Sequence, residues 1–139
     1  QVISLGAGKD SLYFRLTDKR KCPSGGYFEV DFEAVATWKT RLIAKTPALS
    51  SLTSGFKHPL RLLWLLAFYC YTSWIYHLYH LLAADLRDVA ALEETLRGAG
   101  VDFEAPTIFL AECVLVYMEP ASSFALLQWC ASRFPDSLL

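Results

Sequence analysis

Val2-Ile3-Ser4-Leu5-Gly6-Ala7-Gly8 decides the fold: a short apolar run that reads as a buried strand, closed by a turn carrying two glycines. Asp10 or Ser11 is then placed to cap a helix running through Leu16, so the order is strand, glycine turn, helix, the opening of an α/β unit. Glycine at such a turn lets the backbone approach a ligand closely, because no side chain intervenes and unusual backbone angles are tolerated. Alone, the motif is equally well an ordinary tight turn.

Working outward, the pattern repeats. Pro23-Ser24-Gly25-Gly26 is a turn cluster, Tyr27-Phe28-Glu29-Val30-Asp31 reads as a second strand, and residues 32–45 carry helical spacing through Val35, Trp38, Leu42 and Ile43. Residues 46–55, rich in Pro, Ser and Thr, read as a loop. Residues 79–84 read as a buried parallel strand leading into Asp85, and Asp88 as the cap of a helix over 89–97 stopped by Gly98 and Gly100. Beyond Pro106, residues 107–111 form another strand-like run, and 120–133 have the spacing of an amphipathic helix. Alternating strands and helices imply one α/β domain, a mostly parallel sheet with helices on both faces. At 139 residues and 54% apolar composition the chain has material for a single core.

Residues 56–78 interrupt this pattern. Leu, Trp, Tyr, Phe and Ala dominate residues 60–84, which contain no acid. A membrane span needs about 20 mostly apolar residues. Residues 62–82 reach that length, although Tyr69, Tyr71, Thr72, Ser73, His77 and His80 make them wetter than most spans. The aromatic run Trp64, Phe68, Tyr71 and Trp74 reads as core or interface, since no basic residues are interleaved to make it a base-stacking platform. His77 and His80 stand three apart, the spacing of one helix face, but further metal ligands are wanting.

Thirteen basic against fourteen acidic residues leave a formal charge of −1, which gives no electrostatic footprint for nucleic acid or an anionic membrane. Cys22, Cys70, Cys113 and Cys130 are scattered without a C-x-x-C pair, so reduced thiols in an intracellular compartment are expected, without a disulfide. Cys113 reads as a small core residue. The chain opens within a strand and stops at Ser137-Leu138-Leu139 after a helical pattern, so truncation at both ends, with no closing element, is the expectation.

The acids give the pattern its chemistry. Asp31 lies twenty-five positions beyond Gly6, near the offset of about 20 at which an acid meets ribose hydroxyls in nucleotide-binding units. Asp85 and Glu112 follow the next two strand-like runs. Ligands of open α/β sheets bind outside the carboxyl ends of the strands, so Gly6, Asp31, Asp85 and Glu112 should converge on one crevice. Ser11 stands where a third glycine would complete G-x-G-x-x-G, which favours a nucleotide-like ligand without phosphates.

The blocks Ile3-Ser4-Leu5-Gly6-Ala7-Gly8-Lys9-Asp10, Tyr27-Phe28-Glu29-Val30-Asp31-Phe32, Ala84-Asp85-Leu86-Arg87-Asp88 and Ala111-Glu112-Cys113-Val114-Leu115-Val116-Tyr117-Met118 resemble, in this order, leucine carboxyl methyltransferase. The resemblance implies a partial Rossmann-like class I methyltransferase fold over residues 1–139. It also implies S-adenosyl-L-methionine as cofactor, lined by Gly6, Asp31, Asp85, Leu86 and Glu112, with Asp31 on the ribose. It further implies methyl transfer to the C-terminal leucine carboxylate of the protein phosphatase 2A catalytic subunit; a cytoplasmic monomer is expected, and the near-neutral charge predicts that it binds no nucleic acid. A related branch modifies a wybutosine precursor in transfer RNA, and the block around Glu112 looks nearer to the protein-directed enzyme. The arginine that the family sets against the cofactor's carboxylate, and its substrate-binding portion, lie outside these residues. The resemblance therefore implies a truncated form. A carboxylate is already ionised at neutral pH, so no catalytic base or nucleophile is assigned. The alternative reading is a non-catalytic or membrane-associated fragment governed by its apolar segment.

Overall fold

The computed structural model describes residues 1–53, 74–76 and 78–139. In chain order the elements are β1 (Val2–Leu5), α1 (Leu12–Asp18), β2 (Tyr27–Asp31), α2 (Glu33–Lys45), α3 (Pro47–Leu52), β3 (Trp74–Tyr76), β4 (Tyr79–Ala83), α4 (Val89–Gly98), β5 (Thr107–Leu110), α5 (Pro120–Arg133) and β6 (Ser137–Leu138). The strands form one sheet in the order β3-β4-β2-β1-β5-β6. All neighbours pair in parallel except β3, which runs antiparallel along β4 at the edge. This is the α/β class expected of a partial Rossmann-like methyltransferase.

Alternation along the strands sorts the core into two layers. Ile3, Leu5, Phe28, Val30, Leu82 and Phe109 face α4 and α5, meeting Leu92, Leu96, Leu126, Trp129 and Phe134. Tyr27, Tyr79 and Leu81 face the other way, with Tyr13 and Phe14 of α1 and Ala36 and Ile43 of α2. Glu93 joins the helices of the first layer, accepting from Trp129 Nε1 (2.9 Å) and from the Arg133 guanidinium (2.8 and 3.1 Å).

Several expectations need correction. Residues 47–52, read as loop, form α3: Pro47 at its start needs no N–H partner and presets the helical backbone angle, and Leu49 and Leu52 pack on the second layer. In α2 the buried stripe is Ala36, Lys39, Thr40 and Ile43, while Trp38 and Leu42 stay 43% and 42% exposed. The apolar spacing misplaced that face because a charged residue, Lys39, is buried in it. Ser137 and Leu138 pair with Thr107 and Ile108, so a closing strand is present where none was expected. Most of the apolar segment, including His77, Trp64, Phe68 and Tyr71, lies outside the described residues. The end of the stretch weighed as a membrane span, residues 79–82, is strand, and no helix among the described residues is long and apolar enough to cross a membrane. His80 sits on β4 rather than a helix, stacked on Phe28 at 4.4 Å. No group of three or more His, Cys, Asp or Glu among the described residues could hold a metal ion.

Candidate functional site

The chain leaves β1 for β2 on one side and later returns to β5 on the other, so β1 is flanked by the point where strand order reverses. At that point a parallel sheet opens a crevice outside its carboxyl ends. Two clefts lie there and share Gly6. The smaller, of about 110 Å³, is lined by Asp31, Phe32, Asp85, Leu86, Val114 and Tyr117 among others. The larger, of about 580 Å³, is lined by Asp10, Arg15, Glu112 and Cys113 among others.

Gly6 has φ +68°, and a Cβ there would lie 2.5 Å from Val114 Cγ2. Only glycine lets the loop after β1 pass beneath the segment after β5. The Gly6 and Ala7 amides donate to the Val30 carbonyl (2.8 and 3.2 Å), extending the β1–β2 ladder into the turn. Asp31, at the end of β2, accepts from the Gly8 amide at Oδ2 (2.7 Å) and from the Phe32 amide at Oδ1 (2.7 Å). Asp10 Oδ1 accepts from the Ser11 and Leu12 amides and so opens α1, while Ser11 supplies no side-chain cap.

The five residues singled out from sequence thus fall around one crevice: Gly6, Asp31, Asp85 and Leu86 at the smaller cleft, Glu112 at the larger, with Gly6 common to both. Their surroundings differ. The Leu86 side chain is 6% exposed and packs in the core below. Glu112 is exposed. Asp85 is held bidentately by Arg87, with Nε and Nη2 at 2.5 to 3.1 Å. These hydrogen bonds keep its carboxyl below the usual carboxylate range.

Sequence reasoning missed Phe32, Arg87, Val114 and Tyr117. Arg87 pairs with Asp85 two residues earlier, which the Asp85-Leu86-Arg87 spacing could have suggested, and lies 5.9 Å from the Phe32 ring centroid. Nothing local in the sequence announces that Val114 would cover Gly6. Cys113, read as core, is exposed with φ +53° and lines the larger cleft, because β5 ends at Leu110 and the apolar run beyond it is loop and a single 3-10 turn. Glu29, two residues before Asp31, is fully buried, pairs with Lys39 and lines neither of the two clefts.

The family model for leucine carboxyl methyltransferase matches residues 1–131. The chain belongs to that family. Human tRNA wybutosine-synthesizing protein 4 is 44% identical over 99% of this chain, which covers 19% of that relative. Leucine carboxyl methyltransferase 1 from Bos taurus is 37% identical over 99% of the chain, and the Arabidopsis thaliana homologue 34% over 99%. The chain spans about two fifths of the length of those two and about one fifth of the wybutosine-synthesizing protein. The stretches from Gly6 to Asp31 and from Asp85 to Glu112 both lie inside the matched region.

Proposed function

We propose that the chain binds S-adenosyl-L-methionine across the two clefts and serves methyl transfer to a carboxylate. The observation that carries this is the pairing of a glycine turn with a strand-end acid at the reversal of strand order, Gly8 N–H on Asp31 Oδ2. The residues fit that cofactor. Asp31 is acceptor-only when ionised and retains lone pairs for two ribose hydroxyls. Gly6 leaves room for close approach, Leu86 and Val114 offer apolar surface to a base, and Glu112 at the larger cleft suits a positive amino group.

When bound, the cofactor supplies an electrophilic methyl group on a sulfonium. The chain's own residues bind and orient it; the acceptor carboxylate is ionised at neutral pH, so no proton has to be removed. Placing the reactants is a proximity effect of about 7–11 kcal/mol. The first substrate reading is the C-terminal leucine carboxylate of the protein phosphatase 2A catalytic subunit, with a near-neutral net charge that suits a protein partner. The free thiols Cys22, Cys113 and Cys130 suit a cytoplasmic setting for it. A second reading, a wybutosine precursor in transfer RNA, is favoured by the higher identity to the wybutosine-synthesizing relative, 44% against 37%.

Titration calorimetry with S-adenosylhomocysteine, wild type beside Asp31→Ala, tests the cofactor site. Heat from the wild type that vanishes in the variant supports it; no heat from a folded wild-type chain sinks it. Transfer of a labelled methyl to a leucine-ended peptide or to a precursor transfer RNA then separates the two substrates.

A further inference from the structure

Beneath the glycine turn lies a buried charge cluster that the methyl-transfer reading does not use. Lys39 of α2 is 3% exposed and Glu29 of β2 is fully buried; the Lys39 ammonium contacts Glu29 Oε2 and also donates to the backbone carbonyl of Asp10 (2.7 Å). Tyr79 of β4 donates its hydroxyl to the same Glu29 oxygen (2.8 Å). Glu29 Oε1 has no hydrogen-bond partner among the described residues. Such a pair is a costly way to fill a core: desolvating two charges often outweighs their attraction, and apolar replacements of similar volume are frequently as stable. An apolar pair could reproduce neither the acceptor for Tyr79 nor the bond to Asp10, and of the two only the second reaches the glycine turn. Asp10 ends the glycine turn, and its side chain holds the amides of Ser11 and Leu12.

We infer that Lys39 is a positioning residue: held on Glu29 and Tyr79, its ammonium fixes the Asp10 carbonyl and thereby sets the turn from Gly6 to Asp10 in the shape the ligand meets. For its consequence at the ligand this rests on the cofactor reading above. The chain of contact is continuous. β4 and β2 fix the acid, the acid fixes the lysine on α2, and the lysine fixes the far end of a turn whose near end is fixed by Val30 and whose middle is fixed by Asp31. Asp10 and Gly6 both line the larger cleft, so a displaced Asp10 carbonyl would alter that cleft directly.

The variant Lys39→Met alone leaves Glu29 buried without its cation and could unfold the chain, so the decisive variant is Glu29→Gln/Lys39→Met, which removes both charges at nearly constant volume. Amide exchange in the unliganded protein is read at Gly8, Ser11 and Leu12, with Phe28 and Val30 of β2 as internal reference, and S-adenosylhomocysteine affinity is measured alongside. The expected result is a melting temperature near that of wild type, protection of the turn amides reduced by about tenfold or more while the strand amides hold, and affinity weakened by a similar factor. A double variant that keeps both turn protection and affinity overturns the inference, and a uniform fall in protection over turn and strand alike makes Lys39 merely structural. If the wild type binds no S-adenosylhomocysteine, the cofactor reading fails, while the exchange pattern still decides the role of Lys39.

Discussion

At Gly6 the backbone angle and the crowding by Val114 Cγ2 act together. A residue with a side chain would meet left-handed strain of about 1–2 kcal/mol and an overpacking cost of about 1–3 kcal/mol. Gly6→Ala is therefore expected to lose roughly 2–5 kcal/mol in urea unfolding, and adding Val114→Ala should recover only the crowding part. His80 makes a separate prediction. Burial lowers its pKa to about 4, against an ordinary value of 6.5. Between those values the unfolded chain binds more protons than the folded one, so stability is whole at neutral pH and falls as pH drops below about 6.5. By pH 5 the loss amounts to roughly 2 kcal/mol from this residue. His80→Phe, which can keep the stack on Phe28, should show a flatter dependence between pH 7 and pH 5; an identical decline in both proteins would refute the assignment.

At the scale of elements, the helix caps show what local sequence can reveal. Asp88 was readable as a cap because a short acceptor side chain precedes an apolar-periodic run, and its Oδ1 does accept from the Ala91 amide at 3.0 Å. Asp88→Ala should cost about 1 kcal/mol in thermal or urea unfolding. The strands β1, β2 and β4 were equally readable, since parallel strands buried on both faces are near-continuous apolar runs, and β5 reads as a short apolar run although one of its faces is partly exposed. The buried face of α2 was not, because what turns Lys39 inward is Glu29 on another element, a partner that no helical periodicity contains. The same limit separates the site residues. Gly6, Asp31, Asp85 and Glu112 sit at strand ends, where topology alone sends them to one edge, whereas Val114 meets Gly6 through a contact across the crevice.

For the molecule as a whole, coverage of the sheet is uneven: Ile108 is 46% exposed and Leu138 and Leu139 are 68% and 60% exposed along β5 and β6. Adjacent exposed apolar side chains at a sheet edge favour association. Ile108→Thr/Leu138→Thr should raise the concentration at which the chain precipitates while moving unfolding stability by no more than about 0.5 kcal/mol per site. The central place of β1 has a consequence in time. Val2 stands in register with Tyr27 on one side and Ile108 on the other, so the middle strand cannot gain its second neighbour until most of the sequence is in hand. Joining partners so distant along the chain is slow. The crevice straddles that very junction. On the proposed cofactor reading, far-ultraviolet circular dichroism should therefore recover in refolding before S-adenosylhomocysteine binding, which would make ligand competence a marker of the last step of assembly rather than of the first.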